Sequence, residues 1–172
     1  MAYLGFIQLF IATIFFISSL SKWINLGEFR TTMKELKIPK VLIPFGVIGI
    51  PLAELIVSAS FVLDRFTFAA ELLLFALLIS FGWSVFRARG KHLKCNCFGS
   101  LSEEEFGRKT VGRILVFFIL GLILFLNRNT QHLATFTFEE FFISIIASLG
   151  IFAAYLIASV LYQYNQSSIK IN

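Results

Sequence analysis

Charged residues are scarce in this chain of 172 residues, at 15% of the total, whereas soluble domains carry about 25%. Hydrophobic residues reach 58% instead, and the mean hydropathy is +0.84. A soluble domain of this length has too much surface to hide so many apolar side chains, so a soluble enzyme is excluded. Three prolines, 11 glycines and two cysteines likewise exclude a collagen-like chain, a flexible linker and a disulfide-stapled miniprotein.

The hydrophobic residues fall into long runs, and a membrane-spanning helix needs about 20 mostly apolar residues. Five spans are predicted, the fourth of which starts at Thr110 so that Arg113 can extend its cationic end to the interface. The predicted fold is a compact all-α integral membrane protein that forms a single membrane domain over residues 1–172. The predicted spans are 2–21, 41–63, 66–86, 110–127 and 141–163.

The basic residues are distributed unevenly between the two sides of this five-span arrangement. Thirteen of the 15 lie on one side, and only Arg65 and Arg128 lie on the other. The positive-inside rule places the thirteen in the cytoplasm and the N-terminus outside, in the cell (inner) membrane. The net charge of +5 therefore indicates basic loops against anionic lipid, and no nucleic-acid partner is predicted. If the fourth run were re-entrant, the C-terminus would change sides.

The first basic loop has a helical pattern. Leu26, Phe29, Met33 and Leu36 recur at the spacing of one helix face, with basic residues elsewhere around the helix. This pattern predicts a short amphipathic helix at the membrane surface. A plain connector between two spans is the favoured alternative, because any connector at an interface has to look amphipathic.

The two cysteines, Cys95 and Cys97, form a C-x-C pair in the basic segment 87–109. Such a pair can close a strained, easily reduced disulfide, which suits thiol–disulfide exchange better than stapling. Neighbouring cations stabilise a thiolate and so increase the nucleophilic fraction at neutral pH, and a glycine permits a sharp turn after the pair. The predicted supporting residues are Lys91, His92, Lys94 and Gly99.

Two alternatives stay open for the C-x-C pair. His92, Cys95 and Cys97 offer three metal ligands, but a structural zinc site requires four, although two thiolates suit Cu(I). The cysteines could also be thiols without a chemical role. Redox exchange is the preferred interpretation, so these cysteines are the predicted catalytic residues and no metal is predicted.

Two acidic residues fall inside the predicted spans. Glu54 lies near the middle of the second span, where an ionised carboxylate costs at least about 2.5 kcal/mol, so it must face the bundle. It is predicted either to handle protons or line a small-molecule pocket, or to form an interhelical hydrogen bond or an ion pair, for instance with Lys22. Glu71 is near the start of the third span and is expected to reach the lipid headgroups.

The string Cys95-Asn96-Cys97-Phe98-Gly99 before the fourth span resembles the MauE branch of the DoxX-like membrane proteins. Similarity extends to residues 18–22, 37–39 and 51–54 and to Arg113. The resemblance covers roughly residues 1–127 and implies a four-helix core, to which the last span is added. The chain departs from the family at Asn96, where glycine is expected.

The resemblance implies a redox-associated membrane protein. MauE is associated with maturation of the disulfide-rich small subunit of methylamine dehydrogenase, alongside a periplasmic thioredoxin-like partner. By analogy, Cys95 and Cys97 would exchange electrons with a thioredoxin-fold protein, and a quinone between the helices is a candidate cofactor. The analogy favours thiols at the outer face, whereas the charge distribution places them in the cytoplasm, where they would be kept reduced. The charge distribution is preferred because it is read directly from this chain.

The leading hypothesis is therefore a membrane thiol–disulfide oxidoreductase that supports maturation of a disulfide-containing protein. One thiolate of the C-x-C pair would attack a partner disulfide and the other would resolve the mixed disulfide. Lys22, Glu54 and Arg113 are the predicted intramembrane polar residues. The alternative is a non-enzymatic membrane subunit, or a transporter of small molecules or metal in which Glu54 lines the cavity.

Overall fold

The computed structural model describes the backbone of residues 2–36, 38–88, 108–127 and 137–169, and the side chains of residues 3–36, 38–88, 110–127 and 137–161. Six α-helices and no strands are found in these described ranges. Their bounds are α1 Ala2–Ile24, α2 Leu26–Glu35, α3 Leu42–Val62, α4 Thr67–Ala88, α5 Arg108–Leu126 and α6 Phe138–Ile169. The predicted all-α membrane fold is thereby confirmed.

Four of the helices, α1, α3, α4 and α6, are long and apolar enough to cross a membrane. The fourth predicted span corresponds to α5, whose apolar part, Thr110–Leu126, is shorter than the other four. It nevertheless runs antiparallel beside α4, because Phe68 and Phe75 of α4 pair with Phe125 and Phe118 of α5. The first span continues beyond its predicted end at residue 21, so that Lys22 lies inside α1.

Helix α1 is the centre of the bundle. About 61% of its apolar window is buried, against 33% in α3 and α4 and 11% in α6. It packs antiparallel to α3, and three hydrogen bonds hold the two helices in register along their length. Gln8 Nε2, Ser58 Oγ and Ser19 Oγ donate these bonds to the carbonyl oxygens of Phe61, Ala12 and Pro51, each at 2.8 Å.

Helix α2 fills the space where α1 ends and α3 begins. Its face of Phe29 and Met33 is buried against Ile43 and Val47 of α3. The predicted amphipathic helix therefore exists, and its apolar face covers the protein rather than only the lipid surface.

The helices bring four termini to one end of the bundle, which we call the basic end. It comprises the last residues of α1 and α4, Ile24 and Ala88, and the first residues of α3 and α5, Leu42 and Arg108. The segment 89–107, which carries the C-x-C pair, joins α4 to α5 at this end and lies outside the described residues. Lys22 and Arg113 lie within the last or first two turns of their helices here, so the basic end is where the predicted polar residues gather.

Candidate functional site: a buried ion pair near the basic end

Lys22 of α1 and Glu54 of α3 form a buried ion pair. Lys22 Nζ lies 2.6 Å from Glu54 Oε1 and 2.8 Å from Oε2, and donates a third hydrogen bond of 2.7 Å to Ser18 Oγ. Ser18 Oγ lies 3.2 and 3.3 Å from the two carboxylate oxygens. An ammonium group has three N–H donors, so this geometry engages all of them.

The local sequence explains how these side chains meet. Ser18 and Lys22 are four residues apart on α1, and residues at this spacing lie on the same helix face. Pro51 and Glu54 are three residues apart and share a face of α3. The hydrogen bond from Ser19 to the Pro51 carbonyl fixes the position of this face along the axis of α1. The long lysine side chain then bridges the remaining distance to the carboxylate.

The side chains of the ion pair are almost completely buried. Lys22 is 1% exposed and Glu54 is 0% exposed, and the lysine ammonium also lies 5.8 Å from the Phe29 ring centroid and 5.2 Å from that of Phe81. Charges in apolar surroundings persist when they are paired and hydrogen-bonded, and aromatic faces add attraction for a cation. Of the interpretations left open for Glu54, the structure favours the ion pair with Lys22.

A small cavity beside this pair connects it to α5. The cavity measures about 40 Å³, and its lining includes Ser18, Glu54, Thr110 and Arg113. A second cavity of about 70 Å³ lies on the other side of Lys22, towards α2 and α4. Spaces of this size hold a few water molecules rather than an organic substrate. Of these two cavities, Glu54 lines the smaller one.

The side chain of Arg113 makes a contact within the protein, whereas the sequence predicted that it extends to the membrane interface. Instead of extending only to the interface, its guanidinium lies over the Tyr155 ring of α6, 4.9 Å from the centroid. Its Nη2 also donates a hydrogen bond to the Tyr155 hydroxyl. Arg113 falls on the side of α5 that faces α6 and α1, and this position brings its side chain between the helices.

A much larger cleft begins at Arg113. It has a volume of about 520 Å³ and lies between α1, α5 and α6, with Phe10, Ile14, Phe117 and Phe152 among its apolar lining. This volume falls in the range of roughly 300–1,000 Å³ that is usual for small-molecule sites. The cleft has one cationic side chain in its described lining, that of Arg113.

Most of the predicted redox site lies outside the described residues. This applies to Cys95 and Cys97, to the supporting residues Lys91, His92, Lys94 and Gly99, and to the alternative metal ligands among them. Within the described ranges, no group of three histidine, cysteine or acidic side chains could hold a metal ion. The residues that the structure brings together are therefore the three predicted intramembrane polar ones, Lys22, Glu54 and Arg113.

The burial of Glu71 contradicts one prediction from the sequence. It was expected to reach the headgroups, but it is 3% exposed and faces the interior of the bundle. Its helix, α4, packs against both α3 and α5, and the face that carries Glu71 also carries the buried Ala70 and Leu74. A position near the start of a span therefore did not indicate a position near solvent.

Sequence reasoning missed two functional neighbours. Ser18, which bonds both members of the ion pair, shares the four-residue spacing with Lys22, and this local signal could have found it. Tyr155, the partner of Arg113, lies 42 residues away on α6, and no local pattern connects the two.

Comparison with known proteins gave one match. Residues 1–127 match the family model described as methylamine utilisation protein MauE. The match spans α1 to α5 and the segment with Cys95 and Cys97, and it confirms the MauE resemblance over the residues predicted for it. No curated protein and no solved structure matches the chain.

Proposed function

The chain belongs to the MauE family, and from this premise we propose that it is a membrane thiol–disulfide redox protein. Cys95 and Cys97 are its redox pair and a thioredoxin-fold protein is its partner. The observation that supports the proposal is the family match, whose bounds, residues 1–127, include both cysteines of the chain. We take the client to be a disulfide-containing protein of methylamine utilisation, the process that the family's description names.

The reaction is an exchange of two electrons. A thiolate of the C-x-C pair attacks one sulfur of the partner disulfide, so that a mixed disulfide forms and the partner's other sulfur leaves as a thiolate. The second cysteine then attacks the mixed disulfide, closes the Cys95–Cys97 bond and releases the partner's second thiolate. The partner disulfide is reduced and the C-x-C pair is oxidised. The reverse sequence transfers a disulfide to the partner.

The described bundle supports this proposal because polar residues lie near the end of α4 and the start of α5, the two points from which the cysteine segment extends. Phe81, which touches Lys22, precedes the end of α4 by seven residues, or about 10 Å at the rise of an α-helix. Arg113 follows the start of α5 by five residues, or about 7.5 Å. The ion pair thus holds α1 and α3 together close to both points where the cysteine segment leaves the bundle, which suits a positioning role.

The transporter alternative has less support. A transporting carboxylate needs a cavity that admits its substrate, whereas Glu54 is fully buried, bonded to Lys22 and adjacent to a space of about 40 Å³. A group held in this way is suited to joining helices.

Thiol trapping in intact cells tests the proposed redox function. After acid quenching, whichever of the single variants Cys95→Ser and Cys97→Ser keeps the attacking cysteine is expected to retain a covalent adduct with a partner protein that dithiothreitol releases, because it lacks the resolving thiol. The double variant is the matched control and must show no adduct, since the chain has no other cysteine. A pair that is always reduced, with no adduct in either single variant, would rule the proposal out.

A further inference from the structure

A buried hydroxyl group in the first turn of α5 lies beside the small cavity next to the ion pair. It belongs to Thr110, which is 2% exposed, and its Oγ1 has no hydrogen-bond partner among the residues that the structure describes. Native proteins bond almost all buried hydroxyl groups to protein or to ordered water, because an unmade bond costs the full desolvation of the group. Thr110 therefore indicates that the cavity of about 40 Å³ holds an occupant that forms hydrogen bonds.

The opposite wall of this cavity supplies an acceptor. Glu54 accepts hydrogen bonds from Lys22 at 2.6 and 2.8 Å and from Ser18 at 3.2 Å. An ionised carboxylate has about four lone-pair sites, so Glu54 can accept one bond beyond these. Arg113 also lines the cavity, but its guanidinium is engaged with Tyr155, and the site does not depend on it. A donor on α5 and an acceptor on α3 thus border the same space.

The size and the polarity of the cavity together select water as the occupant. One water molecule needs roughly 10–15 Å³ of such space, whereas an organic ligand needs several hundred. Cavities that stay dry are lined by apolar groups, and water stays where two to four polar groups surround it. Thr110, Glu54 and Ser18 provide these groups here. A neutral water molecule can accept from the threonine and donate to the carboxylate without adding a charge to the bundle.

We propose that this cavity is a binding site for ordered water, in which a water molecule accepts a hydrogen bond from Thr110 Oγ1 and donates one to the Glu54 carboxylate. The described parts of α3 and α5 make no direct backbone contact, although both helices contact α1 and α4. The water therefore connects two helices that do not meet otherwise. Thr110 becomes a positioning residue, which holds the start of α5 against the Lys22–Glu54 pair.

Radiolytic footprinting tests for the water directly. An X-ray pulse converts bound water into hydroxyl radicals, which oxidise the side chains that touch it, and mass spectrometry then locates the oxidation. Phe15 is the reporter, because it is 4% exposed and lines this cavity but neither of the other two described above. Phe61, 1% exposed and lining none of the three, is the matched control. We expect oxidation of Phe15 and not of Phe61 in the full chain in dodecyl maltoside.

The sign of a stability change gives a second test. Thr110→Val keeps the shape of the side chain and removes the hydroxyl group. With the water bound, this variant loses the bridge and should raise the unfolding equilibrium constant about fivefold, measured by titration with sodium dodecyl sulfate in mixed micelles. In a dry cavity the same change would stabilise the protein, because it removes an unmade hydrogen bond. Thr110→Ser keeps the hydroxyl group and should keep the oxidation of Phe15.

A threonine in another helix controls for the substitution itself. The Thr13 hydroxyl donates to the Leu9 carbonyl of its own helix at 2.8 Å, and Thr13 lines none of the three cavities. Thr13→Val should therefore change the unfolding constant by less than about twofold. In the background of Lys22→Met with Glu54→Leu, which lacks the acceptor, Thr110→Val should no longer destabilise the protein.

Four outcomes would overturn the proposal. Absence of Phe15 oxidation in the wild type would show a dry cavity, as would a Thr110→Val variant at least as stable as the wild type. Equal oxidation in the wild type and Thr110→Val would show that Thr110 does not hold the water. An equal loss of stability with and without Glu54 would separate the two residues. If the background without the ion pair fails to fold, the oxidation of Phe15 in the wild type and in Thr110→Val still decides. None of these readouts uses the cysteines, so they are independent of the proposed redox function.

Discussion

At the scale of the residue, the Lys22–Glu54 pair is the feature that most constrains the bundle. Transfer of two charges out of water is costly, and their attraction repays that cost only when the geometry is good and further hydrogen bonds are present. Here Ser18 supplies those bonds, and the aromatic rings of Phe29 and Phe81 surround the ammonium. The pair therefore specifies how α1 and α3 meet more than it adds to the free energy of unfolding.

Removing one member of the pair should be worse than removing both. We expect Glu54→Gln to lower the free energy of unfolding by about 3–5 kcal/mol, because Lys22 is left as a buried charge without its counter-ion. The double variant Lys22→Met with Glu54→Leu should recover most of this loss, since a matched apolar pair is often neutral or stabilising. Thermal unfolding in detergent and accumulation in the membrane measure both effects.

An exposed acid provides the control for this experiment. Glu28→Gln, on the exposed face of α2, should change the free energy of unfolding by less than about 0.5 kcal/mol. If Glu54→Gln were as stable as the wild type, the ion pair would not be an anchor of the fold. A double variant that is stable but inactive would assign the charges to the reaction as well.

At the scale of the element, the packing of α5 on α4 depends on a glycine. A Cβ at Gly121 would lie 3.1 Å from Leu74 Cδ2 and 3.4 Å from Phe75 Cε1. The rings of Phe118 and Phe125 pack on either side of this point against Phe75. Close approach of the backbone at a small residue is the usual means by which membrane helices gain packing contacts.

A larger side chain at Gly121 should therefore separate α4 from α5. We expect Gly121→Leu to cost about 1–3 kcal/mol through overpacking, seen as a lower unfolding midpoint in detergent. Gly49→Leu is the matched control, because Gly49 lies on the exposed side of α3 and a Cβ there meets no atom within 4 Å. Equal stability of the two variants would contradict the close packing of α4 on α5.

The helices could be predicted from the sequence much better than the contacts between them. Long apolar runs with at most one charged residue between their ends identified α1, α3, α4 and α6, because lipid imposes both their length and their composition. The end of α1 was placed too early because the predicted span was ended where the uncharged run stops, at the charge of Lys22. The structure buries it instead, since Glu54 on a neighbouring helix compensates its charge.

Long-range pairing explains the remaining differences. The sequence identified Glu54 as a residue that faces the interior of the bundle. Which of its predicted roles applies depends on the position of α3 along the axis of α1, because this position decides which side chains lie opposite Glu54. That position follows from contacts such as Ser58 with the Ala12 carbonyl, which have no local signature. The contact of Arg113 with Tyr155 depends in the same way on where α6 packs. The chemistry of Cys95 and Cys97 stays a prediction.

At the scale of the whole molecule, the central position of α1 means that the helices share one orientation across the membrane. α1 contacts α2, α3, α5 and α6, so these helices must enter the membrane as one arrangement. The uneven distribution of basic residues then acts on the arrangement as a whole, and the thirteen basic residues on one side favour the cytoplasm for the basic end. The same arrangement decides which compartment would supply the proposed redox partner.

Single cysteines in a Cys95→Ser, Cys97→Ser background test this orientation. Arg65→Cys lies in the turn between α3 and α4, Lys40→Cys precedes α3, and Asn127→Cys follows α5, and all three positions are exposed. With the basic end in the cytoplasm and α5 crossing the membrane, an impermeant maleimide should label residues 65 and 127 in intact cells. Residue 40 should react only after permeabilisation.

Labelling at the three positions distinguishes a reversed orientation of the bundle from a re-entrant α5. Labelling of residue 40 alone in intact cells would reverse the whole orientation and would place the cysteine segment on the oxidising side, where the role of disulfide donor rather than that of electron donor fits the proposed C-x-C pair. Labelling of residue 65 but not of residue 127 would instead show that α5 is re-entrant. In that case α6 would begin at the basic end, and its packing of Tyr155 beside Arg113 would have to be rebuilt.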